Sequence, residues 1–358
     1  MPSLKSGLWC AFRGLWSNIS GPKSALVLIL SYAYGILVFY LCISNLLGPV
    51  GSTPATEEAV WISHGMSATE IGSLLARRGF IRSAFLFRLT SVLSGTSRSL
   101  KAGEYALSTD MSAFRILRRI AAGEVILYRF TIPEGFTVSQ IARLWEERGF
   151  GTAADFIEAS RAPVMRERYG IASNSLEGYL FPDTYMFPHG ISEQEAINEM
   201  LSQFDEKVSY LMEDTGAAHC VCTAGVTLSR HEAISLASII EKEAKVEDEK
   251  PIISAVFHNR LGQGRKLESC ATVLYSLGYP RRKLTDRDLK NTRSPYNTYI
   301  HKGLPPGPIC NPGLGSIAAA LNPSKHGYLY FVSKNDGTHY FAATYKEFLD
   351  AKRKYQDS

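Results

Sequence analysis

The sequence predicts an α+β protein in three parts: one membrane-spanning helix near the N-terminus, a small strand–helix module, and a larger mixed α+β domain. Three observations predict it. An uncharged run, Ala25–Leu47, stands near the start. Two similar segments follow it, seventy positions apart. From about residue 151 the helices lengthen and the loops become rich in Pro and Gly.

At 358 residues the chain has room for two globular domains and an appendage. Its composition, 45% hydrophobic and 20% charged, is that of a globular protein. The net charge of +5 is mild, and no dense Lys/Arg run is interleaved with aromatics. That excludes a typical nucleic-acid binder.

Residues 1–24 form a basic tail, with Lys5, Arg13 and Lys23 and no acid, and with Trp9 and Trp16 suited to a membrane interface. Residues 25–47 would span roughly 35 Å as a helix, enough for the hydrocarbon core of a bilayer. A cleaved signal peptide needs a shorter apolar run, about 7–15 residues, and an A-x-A-like exit. This run leaves through "NLLGPVG" instead. The positive-inside rule then places the tail in the cytoplasm and the chain after about residue 50 outside. Residues 48–56 read as a polar linker.

Six cysteines do not make a disulfide framework. Cys10 and Cys42 fall in the tail and the span, Cys220 and Cys222 are too close to pair, and Cys270 and Cys310 stand apart. No Cys/His spacing suggests zinc, so no metal is expected.

The repeat comes next. "SHGMSATEIGSLLARRGF" (Ser63–Phe80) aligns with "PEGFTVSQIARLWEERGF" (Pro133–Phe150). Each copy reads as a strand, a Gly turn, a Ser or Thr cap, and an amphipathic helix stopped by Gly. Between them "LKAGEYALS" reads as a strand, and "MSAFRILRRIAAGE" as a capped helix ended by Gly123. Such units resemble LysM modules, which bind N-acetylated cell-wall sugars, and residues 57–150 are read as one LysM-like domain. A duplicated packing unit without a ligand fits the same pattern.

Residues 151–358 carry four unusual stretches: "LEGYLFPDTY", "ASIIEKEAKVEDEKPIISAVFHNRL", "SPYNTYIHKGLPPGPICNPG" and "YLYFVSKNDGTHYFAATY". The last reads as a hairpin turning at Asn335-Asp-Gly. In the second, Ala233, Leu236, Ala237, Ile240 and Ala244 form a helical stripe. Glu241 and Glu243 fall on its opposite borders, about 200° apart at roughly 100° per residue. Either carboxylate could be desolvated into the range of a general acid, or both could be solvated charges where the helix surfaces. They cannot flank one glycosidic bond together. Spacing alone does not choose between them.

Read together, "AGEY", "IPEG", "LEGYLFPDTY", "ASIIEKEA", "VFHNRL", "SPYNTY", "GLPPGPI" and "YLYFV" resemble the YceG-like family of membrane-anchored endolytic murein transglycosylases. The resemblance covers nearly the whole chain after the anchor. It implies a lyase of bacterial cell-wall biogenesis in the inner membrane, N-terminus cytoplasmic and catalytic domain periplasmic. That enzyme cleaves MurNAc-β-1,4-GlcNAc bonds without water and leaves 1,6-anhydro-MurNAc ends.

Carried over by position, the catalytic acid is Glu243 and the second Tyr of Y-N-x-Y is Tyr299, with Glu241 as a supporting charge. Tyr296, Asn297, Glu268, Thr272 and Asn259 are the expected substrate contacts. Where the family usually has L-Q-[ST]-D-P-T-V, this chain has Leu267-Glu-Ser-Cys-Ala-Thr-Val273. The implied partners are peptidoglycan strands and peptidoglycan synthases, with no cofactor. A non-catalytic membrane-anchored peptidoglycan-binding scaffold is the alternative. A cofactor-dependent lyase is disfavoured by the lack of a G-x-G-x-x-G context and of a candidate Schiff-base Lys.

Overall fold

A computed structural model describes residues 22–51, 56–171, 173–214, 220–223, 225–278 and 284–356. The chain divides into two compact units, Met1–Ile126 and Leu127–Ser358.

The first unit begins with α1 (Pro22–Leu47), whose described apolar side chains are mostly exposed. This is the expected apolar helix, long enough to cross a membrane. Then come β1 (Glu58–Ile62), α2 (Ala68–Arg77), α3 (Ala84–Leu93), β2 (Gly103–Leu107) and α4 (Ala113–Ala122). β1 and β2 pair antiparallel, Val60 opposite Tyr105, and both side chains enter a core with Ile71, Leu75, Phe87 and Ile116.

The second unit opens on the same order: β3 (Tyr128–Thr131), α5 (Val138–Glu147), α6 (Ala153–Ser160), the short α7 (Pro163–Arg168) and β4 (Thr184–Phe187). β3 pairs antiparallel with β4.

The sequence repeat is therefore part of a larger one, two paired strands enclosing two helices in the first unit and the same with the short α7 added in the second. Its local chemistry is duplicated as well. Ser67 and Glu70 close a capping box on α2, as Thr137 and Gln140 do on α5. Each helix ends at an Arg followed by a left-handed Gly, Gly79 or Gly149, and the next residue, Phe80 or Phe150, hydrogen-bonds back into the last turn.

The two compact units divide at Ile126/Leu127, inside the 57–150 segment expected as one LysM-like domain. The second copy packs in the larger unit, where Phe130, Ile141, Trp145 and Phe150 are buried in the core. Trp145 is fully buried, stacked on Phe150 at 4.7 Å and edge-on to Phe130 at 5.3 Å.

The larger unit continues with α8 (Glu193–Asp214), β5 (Cys220–Thr223), β6 (Val226–Ser229), α9 (Arg230–Glu243), a 3₁₀ turn at Glu247–Glu249, α10 (Lys250–Gly262), α11 (Cys270–Leu277), α12 (Asp286–Asn291), α13 (Leu314–Leu321), β7 (Tyr330–Ser333), β8 (His339–Ala342) and α14 (Tyr345–Gln356). β7 and β8 form the expected hairpin, with Asn335 and Gly337 at positive φ in the turn. α9 lies at the centre, packed on α10 and α13. Residues 233–240 are buried on every side, so the middle of the helix is buried all round and not along a stripe alone.

Candidate active site

α9 is buried from residue 233 to 240 and emerges again at its last turn, where its two glutamates leave in different directions. Glu241 turns to the start of α13, where its Oε2 accepts from the Gly313 N–H (3.1 Å) and the Ser316 hydroxyl (2.6 Å). Gly313 is the N-cap residue of α13 and has no side chain to satisfy those donors, so Glu241 supplies the cap. Glu241 also lies 3.7 Å from the buried ammonium of Lys250, which pairs as well with Glu247 at 2.5 Å and Glu134 at 3.8 Å. Every contact of Glu241 is structural.

Glu243 turns to the other side. Its Oε1 accepts from the Ser269 hydroxyl at 2.5 Å, and the nearby Ala271 N–H favours its charged form. Burial raises its pKa above the ordinary carboxyl value. The Ser269 hydroxyl, charge on His339, the Ala271 N–H and the Arg260 guanidinium oppose that rise in decreasing order. A carboxyl of this kind can hold a proton and surrender it to a substrate oxygen.

Tyr299 is in the same place. Its hydroxyl lies 3.1 Å from the Cys270 thiol, and burial, with the neighbouring Cys270, Glu243 and Glu268, drives its pKa up, so the phenol keeps its proton. The loop bearing Tyr299 is held by Asn297, whose Oδ1 accepts from the Tyr299 N–H (2.9 Å), while Lys266 Nζ donates to the Tyr299 carbonyl (2.9 Å). The remaining carboxylates of this neighbourhood are engaged. Glu268 pairs with Arg260 at 3.4 Å, and Glu249 grips His339 through the ring Nδ1 (2.7 Å) and the backbone N–H (2.9 Å). Glu268 holds a left-handed backbone, φ 52°, which for a non-glycine residue costs roughly 1 kcal/mol or more. The loop Leu267–Val273 is thus strained close to Glu243.

The expected substrate contacts divide. Glu268 is exposed next to Tyr299, and Tyr296 is half-buried with its ring 5.0 Å from that of Tyr275. Asn297 is fully buried, its amide donating to the Leu289 and Thr292 carbonyls, and Thr272 is buried against Ser269 and Thr298. Asn259 donates to the carbonyls of His326 and Tyr328. The polar side-chain atoms of Asn297 and Thr272 are engaged by the chain itself, whereas partly buried Asn259 spends its amide NH₂ on the chain.

Ser269, His339 and Glu249 went unnoticed in the sequence, as did Asn311. Fully buried Asn311 accepts from the Gly178 and Leu180 N–H groups (3.0 and 2.9 Å) and donates to the Phe136 carbonyl (2.8 Å) and Glu177 (3.3 Å). One amide therefore ties "IPEGF", "LEGYL" and "CNPG" together. Gly178, at φ 90°, has no room for a Cβ against Pro308. The signal for Asn311 was the N-P-G turn inside a stretch already singled out.

Residues 60–354 match the sequence profile of the YceG-like family. Over 330 residues the chain is 32% identical to a Bacillus subtilis (strain 168) protein named endolytic murein transglycosylase, covering 88% of this chain and 89% of that one. A Streptococcus pneumoniae (strain R6) protein of the same name is 30% identical over 351 residues, 89% of this chain; the match spans 62% of the pneumococcal protein. The 2.6 Å crystal structure of a YceG-like protein from Listeria monocytogenes superposes with a TM-score of 0.55 at 32% identity, covering 82% of this chain and 98% of that one.

Proposed function

The chain belongs to the YceG-like family, and from that premise we propose that it is an endolytic murein transglycosylase with Glu243 as its single acid and base. The observation that carries the reading is the setting of Glu243: a desolvated carboxyl, hydrogen-bonded by Ser269, with its neighbouring carboxylates engaged by Arg260 and His339.

Protonated Glu243 gives its proton to the oxygen of a MurNAc-β-1,4-GlcNAc bond. The bond from MurNAc C1 to that oxygen breaks, and GlcNAc leaves as an alcohol. The resulting carboxylate takes the proton of the MurNAc C6 hydroxyl as O6 bonds to C1. The proton is back on Glu243, no water is consumed, and the product is a 1,6-anhydro end. No facing nucleophile is needed, in contrast to a two-carboxylate glycosidase. Tyr299, a protonated phenol beside the acid, orients the sugar. α1 holds the chain in the inner membrane with the catalytic unit outside, and the β-α-α-β unit of residues 58–107 is the LysM-like glycan contact.

The test is Glu243→Gln in the full-length protein, with anhydro-muropeptide yield from digested glycan measured by mass spectrometry. The variant keeps the shape of the side chain but cannot donate and recover a proton, so anhydro ends should vanish while the melting temperature holds. Wild-type yield from the variant would refute the mechanism. A wild-type protein that binds murein and makes no anhydro ends would be a scaffold.

A further inference from the structure

α3 buries Leu86, Phe87 and Ser91 in the first unit and leaves a second apolar face uncovered. Phe85 is 69% exposed, Leu89 40%, Val92 56% and Leu93 79%. At roughly 100° per residue, Phe85, Leu89 and Val92 fall within about 60° of one another, with Leu93 alongside. Soluble surfaces scatter single apolar side chains, whereas a stripe along a whole helix marks a contact surface.

What covers the stripe follows from where α3 is fastened, given the reading of α1 as a membrane anchor, on which this inference rests. The Arg82 guanidinium donates to the Asn45 carbonyl in the last turn of α1, two residues before α3 begins. Leu47 packs on the core of the unit, and the Gly51 N–H donates to the Thr109 carbonyl at 2.8 Å. The outer end of α1 is thereby fixed to the start of α3, and a spanning helix ends at the bilayer interface.

Charge points the same way. Between Glu70 and Glu104 the chain has no acid and six cations, Arg77, Arg78, Arg82, Arg88, Arg98 and Lys101, all exposed. We propose that α3 is an interfacial helix whose apolar stripe lies in the headgroup–acyl boundary of the same bilayer that α1 crosses. The flanking cations rest on anionic phospholipid headgroups. Unit 1 is then held to the membrane along a surface and not by a single tether.

The test places a photo-crosslinking benzophenone amino acid at position 89, or at position 37 of α1, in the full chain. The protein is reconstituted in vesicles of phosphatidylethanolamine and phosphatidylglycerol. Both positions should yield lipid adducts. In phosphatidylcholine vesicles the yield at position 89 should fall several-fold while that at position 37 holds. Lipid adducts at 37 and none at 89 would overturn the proposal and leave the anchor standing, as would protein adducts at 89. Adducts at neither position would remove the anchor, and this inference with it. Equal yields at 89 in the two membranes would overturn the headgroup assignment.

Discussion

Replacing Glu241 separates support from chemistry at the end of α9. In Glu241→Ala, Lys250, only 5% exposed, loses a partner that is itself 10% exposed. Removing one member of a buried pair typically costs about 3–5 kcal/mol. Lys250 keeps Glu247 at 2.5 Å and Glu134 at 3.8 Å, although both are well exposed, so the charge contribution belongs below that range, at about 2 kcal/mol. The Gly313 N–H and the Ser316 hydroxyl lose their acceptor, worth about 1 kcal/mol as a helix cap. The sum is about 3 kcal/mol, a fall in melting temperature of about 6–12 °C for a unit of this size. Glu241→Gln keeps one acceptor oxygen and should lose about half as much. The assay is thermal unfolding of the full-length variants in detergent, with anhydro-muropeptide yield scaled to folded protein. Stability within about 0.5 kcal/mol of wild type for Glu241→Ala, the range of an ordinary surface change, would refute the capping argument. A normally stable Glu241→Gln that makes no anhydro ends would show that the acid has been assigned to the wrong glutamate.

Two further outcomes follow from buried carboxyls. Ser269→Ala removes a donor that favours the charged form of Glu243, so its pKa should rise further and the alkaline limb of the kcat/KM profile should move to higher pH; an unmoved limb would refute the coupling. Burial pushes the Glu177 carboxyl up to about 8 from an ordinary 4.5, so between those values the native state holds a proton that the unfolded chain releases. Stability should therefore fall as pH rises from about 4.5 through about 8, and Glu177→Gln, compared by melting temperature across that range, should flatten the fall.

Local order was the most legible part of the fold. The long apolar helix α1, both capped helices of the repeat and the Asn335-Asp-Gly hairpin are written in short-range patterns of charge, caps and turn residues. The partner of each apolar face is not. Ile141 and Trp145 have the same spacing whether they pack in a small module or in the larger core, so the division at Ile126 was hidden. At the site, angular spacing correctly sent Glu241 and Glu243 to opposite sides, and family resemblance was needed to rank them. The backbone partners of Asn297, Thr272 and Asn259 are equally hidden in the sequence, because a polar residue in a dense motif looks the same facing a ligand or a backbone carbonyl. Ser269 and His339 reach Glu243 from distant parts of the chain, and no local pattern announces such a meeting.

The position of Asn311 bears on how the protein ages. Asparagine most readily loses its amide when the next residue's backbone nitrogen attacks the side-chain carbonyl and closes a succinimide ring. Here the next residue is Pro312, whose nitrogen carries no hydrogen and cannot close that ring. Deamidation would put a carboxylate in place of the amide nitrogen that donates to Phe136 and Glu177, and set it against the Glu177 carboxyl. The proline that shapes the turn thus also guards, over the lifetime of the molecule, the amide on which three loops depend.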